Sequence, residues 1–154
     1  MQHRSIIKPI IAGTLLCGTL DILFAAILTG MRGRHVGDML RFVASGPFPD
    51  AAAMGRQGAI IGLLVHFTLM AIMVAVFVIA ARQLPRLLAK PLLSGVAYGL
   101  LTYVVLDLIV VPLRFPAAWP PAPLSIATQL FAHIVLVGIP IALIARRYVG
   151  GRRV

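Results

Sequence analysis

Four long apolar runs limit what this chain can fold into. They cover roughly residues 6–29, 59–81, 92–113 and 124–145. Each has about 20 residues or more, enough helix to cross a hydrocarbon core of about 30 Å. With 60% hydrophobic and only 12% charged residues, 154 residues folded as a soluble domain could not bury so much apolar surface. The expected fold is all-α: a four-helix antiparallel transmembrane bundle forming one integral membrane domain over 1–154. The first run begins among the basic residues His3, Arg4 and Lys8, as a secretory signal would. It exceeds a usual signal core in length and lacks a small-x-small cleavage site, so a retained span is expected.

The net charge of +10 does not point to nucleic acid, because the cations are distributed as a membrane protein distributes them. Nine lie in the two tails and the central linker: Arg4, Lys8, Arg82, Arg86, Lys90, Arg146, Arg147, Arg152 and Arg153. Five lie in the other two linkers: Arg32, Arg34, Arg41, Arg56 and Arg114. That bias predicts cytoplasmic termini and a basic inner rim that attracts anionic lipid. Cys17 is the only cysteine, so no intrachain disulfide forms.

In the linker over 30–58, Val36, Met39, Leu40 and Val43 recur at helical spacing, which suits a short interfacial helix. Gly33, Gly37 and Gly46 leave an irregular loop equally open. The stretch "RFPAAWPPAP" has too many prolines for a helix, and Trp119 suits the headgroup level. Gly58 and Gly62, like Gly95 and Gly99, share helix faces that permit close packing within the bundle; Gly13 and Gly18 mark a small-residue side of the first span. Pro140 should bend the fourth span. A weak repeat relates the halves: Gly13 and Asp21 match Gly99 and Asp107, and each second helix carries one histidine.

Asp21, His66, Asp107 and His133 are the aspartates and histidines inside the apolar runs, one per run. Counted at about 1.5 Å per residue, all lie roughly 10 to 14 Å from the outer ends, so one layer can hold them. A carboxylate facing lipid there costs at least about 2.5–3.5 kcal/mol, so the four are expected to turn inward and meet as Asp–His contacts. Thr14 shares a face with Gly18 and Asp21, Gln129 shares one with His133, and Tyr103 lies one turn before Asp107, placed to donate to it. Three readings fit this layer. It can be polar glue between helices. It can be a cofactor site, either for zinc, iron or manganese, or for haem b with His66 and His133 as axial ligands. It can also be a proton relay.

Motifs of soluble enzymes are absent: there is no glutamate, no G-x-S-x-G, no glycine-rich phosphate loop and no H-E-x-x-H. The stretches "GTLDILFA", "GLLVHFTLM", "GVAYGL" and "LFAHIVLVGIPIAL" resemble small bacterial inner-membrane proteins of the YagU-like kind. The resemblance implies a four-span protein of the bacterial inner membrane and supplies no reaction. The leading functional expectation is a non-enzymatic accessory role in the lipid bilayer, with other membrane subunits or a second copy as partners and no bound cofactor. Metal or haem binding, and proton or small-solute transport, are the alternatives.

Overall fold

The computed structural model describes residues 5–150. The basic residues Arg4, Arg152 and Arg153, and also His3, lie outside them. Among the described residues the fold is an all-α helical bundle, and four helices are long and apolar enough to cross a membrane: Ile7–Met31, Gly55–Gln83, Pro91–Arg114 and Pro123–Val149. Large apolar side chains stand exposed on every span, Leu15, Leu64, Leu101 and Leu143 among them. A water-soluble monomer does not tolerate such surface, whereas acyl chains cover it at no cost.

Successive spans run antiparallel. Gly13 meets Val74 and Gly18 meets Phe67; Gly95 meets Ile139 and Gly99 meets Ile134. The fourth span is the hub, packing on the first, second and third. It is also the most buried, at 33% of its apolar window against 17% for the first and third. Cys17 places its thiol 3.8 Å from the Val137 carbonyl, and the Phe24 and Phe131 rings lie 5.3 Å apart. The third span reaches the second through Tyr98, whose hydroxyl donates to the Met73 carbonyl at 2.7 Å. The first span thus packs on both histidine-bearing spans, whereas the third packs mainly on the fourth. Toward the end that carries the chain termini, apolar side chains close the interior: Met70, Val74, Phe77, Val78, Ile141 and Ala142.

Helical spacing in the first linker does give a helix, Val36–Ser45. It does not merely lie on the lipid surface. Gly58 and Gly62 of the second span admit backbone from this linker: a Cβ on Gly58 would strike the Ala51 carbonyl, and one on Gly62 the Leu40 carbonyl. This glycine face therefore serves the linker helix rather than another span. Arg114, at the end of the third span, ties down the other side. Its Nε donates to the Gly46 carbonyl at 2.7 Å and its Nη2 to Ser45 at 2.9 Å. The last carbonyls of a helix lack internal partners and carry partial negative charge, which a guanidinium satisfies on both counts. Phe42 on Phe115, with ring centroids 4.3 Å apart, completes the clamp. Replacing Arg114 with glutamine should lower amide-exchange protection over residues 36–45 about tenfold, while Arg56→Gln leaves it unchanged. Unaltered protection in R114Q would mean that the glycine contacts alone hold the helix.

Both later spans change register. Val104–Val110 and Ala132–Gly138 are π-helical, inside otherwise α-helical spans. Each stretch ends two residues before a proline, Pro112 or Pro140. Proline lacks an N–H and its ring presses on the carbonyl four residues back. Widening the preceding turn relieves that contact without breaking the span. The strain expected at Pro140 thus takes the form of a π segment, and Pro112 repeats the device.

Candidate functional site

The four intramembrane aspartates and histidines resolve into two pairs, one in each hairpin. Asp107 sits inside the third span's π segment and His133 near the start of the fourth's. His133 Nε2 lies 3.0 Å from Asp107 Oδ2. Gln129 Nε2 donates to the other carboxylate oxygen, Oδ1, at 3.1 Å. On the far side of the imidazole, His133 Nδ1 is 2.9 Å from the Thr102 hydroxyl, which is also 3.0 Å from the Gly99 carbonyl. The backbones approach closely enough for this because glycines line the seam: a Cβ on Gly95 would lie 2.6 Å from Ile139 Cα, and one on Gly99 would strike the His133 carbonyl.

The hydroxyl of Thr102 has one proton and two neighbours to give it to. Donated to His133 Nδ1, it leaves a neutral imidazole whose Nε2–H donates to the Asp107 carboxylate. Turned to the Gly99 carbonyl, it accepts from Nδ1–H, and the pair then holds one more proton, as imidazolium with carboxylate or as imidazole with carboxylic acid. Both states are fully hydrogen-bonded. The difference between them is one hydroxyl rotation and one proton.

The other pair is looser. His66 Nδ1 is 3.8 Å from Asp21 Oδ2, beyond hydrogen-bond range, while its Nε2 is 2.9 Å from the Gly18 carbonyl. A carbonyl only accepts, so Nε2 carries the proton, and Phe67 closes the ring's edge at 5.2 Å. Asp21 lies within electrostatic reach of His66, His133 and Asp107. No hydrogen bond joins the two pairs among the described residues.

Two expected supports are placed differently. Thr14 Oγ1 is buried and without a hydrogen-bond partner among the described residues, so it does not serve Asp21. Asp107 takes its hydrogen bonds from Gln129 and His133 rather than from Tyr103, whose ring meets the His133 ring edge-on with centroids 6.0 Å apart. The π register between positions 103 and 107 explains this: the wider turn rotates Asp107 off the face that α-helical spacing assigns to it. Thr102 is the residue that spacing arguments passed over. It lies three positions after Gly99, so it faces the same seam as the glycines.

Asp107 also opens onto space. It lines a cavity of about 230 Å³ together with Tyr103, Trp119, Pro120, Ser125 and Gln129. This cavity lies at the end of the bundle opposite the chain termini, here called the distal end. Among the described residues no three His, Cys, Asp or Glu side chains are grouped to hold a metal ion. Both His133 nitrogens and His66 Nε2 face polar protein atoms at 2.9–3.0 Å, and His66 Nδ1 faces the Asp21 carboxylate at 3.8 Å.

The fold and the site define an all-α helical bundle with four membrane-length apolar helices and two internal Asp–His pairs. No family model, curated protein or solved structure matches the chain.

Proposed function

We propose that the chain is a non-enzymatic, multi-pass membrane protein in which the Asp107–His133 pair binds a proton from the distal side. Its role is that of an accessory component that responds to protonation, not that of a conduit. One observation carries the reading: the pair has two fully hydrogen-bonded proton counts, interchanged by the Thr102 hydroxyl, and Asp107 lines a cavity at the distal end. The apolar packing of Val74, Phe77, Val78 and Ile141 toward the terminal end favours response over flux. The excess of cations in the tails and central linker supports cytoplasmic termini, with the cavity opening away from the cytoplasm. The YagU-like resemblance supports the bacterial inner membrane as its location.

Histidine-labelled protein in lipid nanodiscs supplies the test. On acidification the His133 imidazole resonances should report uptake of the extra proton by the pair, and Asp107→Asn should alter that response. Reconstituted vesicles should show no proton flux above empty ones. Resonances that do not respond to acidification would make the pair structural, and Asp107-dependent flux would make the protein a transporter.

A further inference from the structure

A larger cavity, of about 490 Å³, lies beside the first at the distal end. Arg32, Arg34 and His35 line it from the exit of the first span, and Ser125, Thr128 and Gln129 from the start of the fourth. Its one acidic lining residue, Asp38, is paired with Arg41. Arg32 and Arg34 have no ion pair among the described residues. Leu28, Met39 and Phe42 give it apolar walls as well.

We infer that this cavity binds an anionic amphiphile, a molecule with a phosphate or carboxylate head and an alkyl tail. Two unpaired guanidiniums at headgroup depth favour an oxyanion, which arginine grips through paired N–H donors. A bare inorganic anion would leave the Leu28, Met39 and Phe42 walls uncovered, and a wholly apolar ligand would leave the arginines without a counter-charge. The volume falls within the range of small-molecule sites. The cavity shares Ser125 and Gln129 with the smaller one, and Gln129 also donates to Asp107, but its occupancy is counted directly, without reference to protonation.

Dodecyl phosphate is the probe, added to the full chain in a neutral detergent. Native mass spectrometry counts molecules bound, and fluorescence of Trp119, the only tryptophan, reports filling next to Ala118, which lines this cavity. Saturable one-to-one binding is expected. The Arg32→Gln/Arg34→Gln double variant should bind about tenfold or more weakly, and Arg56→Gln should match wild type. Dodecylphosphocholine, with the same tail and no net charge, should also bind about tenfold or more weakly. Competition by inorganic phosphate would assign the site to free phosphate-bearing solutes; competition by phosphatidylglycerol alone would assign it to lipid. Binding that does not saturate, equal binding of the two probes, or an equal loss in R56Q would overturn the inference.

Discussion

Replacing Gly99 with alanine should destabilise the bundle by about 3 kcal/mol or more, although alanine is the better helix former by up to about 1 kcal/mol. The sign follows from what the new methyl would meet. At Gly99 it strikes the His133 carbonyl and lies 2.7 Å from Ile134 Cα, both backbone of the facing helix. Backbone cannot rotate aside, so the third and fourth spans must separate. Separation then draws His133 away from Asp107 and Thr102. Gly18→Ala should cost less, because the obstacle is the Phe67 ring at 2.7 Å and a side chain can yield. Gly30→Ala, with nothing within 4 Å, should be neutral or slightly stabilising. Unfolding in mixed micelles ranks the three variants. If Gly99→Ala is no worse than Gly30→Ala, the seam is not close-packed.

That graded series also explains what spacing alone could reveal. Span lengths are legible because lipid imposes them: every exposed backbone group must be satisfied internally across a fixed thickness, so apolar run length reports the helix directly. The linker helix was half legible: Val36, Met39, Leu40 and Val43 form an apolar stripe of one period, but the nearby glycines left an irregular loop equally open. What a Gly-x-x-x-Gly face receives is not legible. Gly95 and Gly99 receive the fourth span, whereas Gly58 and Gly62, with identical spacing, receive the linker. A glycine pair specifies only that some backbone comes close. Position along a span is a count along the chain; the rotation that selects a partner is not. The π segments make that loss concrete, since a wider turn re-aims Asp107 while leaving the apolar pattern intact. Pro112 and Pro140 were their visible trace. The half-repeat had partial meaning. Each hairpin does pair its aspartate with its histidine, but Gly13 abuts the Val74 side chain where Gly99 abuts backbone, so the halves pack differently.

The two pairs should therefore differ in energetic coupling, and Asp107–His133 should be the stronger. The Asp107 carboxylate faces His133 Nε2 at 3.0 Å and accepts from Gln129 at 3.1 Å. Asparagine keeps the shape but offers one oxygen and one amino group, so one of the two neighbours faces a second donor. Buried polar groups left in that condition cost about 1–3 kcal/mol, more where charge is involved. Changing His133 to glutamine as well supplies an acceptor for the amino group and relieves part of the cost. Asp107→Asn alone should accordingly destabilise more than Asp107→Asn with His133→Gln, with a coupling of about 2 kcal/mol. Between Asp21 and His66 the separation is 3.8 Å, and His66 keeps its Gly18 hydrogen bond whichever residue stands at 21. The corresponding cycle with Asp21→Asn and His66→Gln should give less than about 1 kcal/mol. Reversible unfolding of the six variants and wild type in one micelle system yields both numbers. Equal couplings would remove the distinction between a hydrogen-bonded pair and a merely proximate one. A Asp107–His133 cycle that closes additively would leave the proton-binding proposal without its pair.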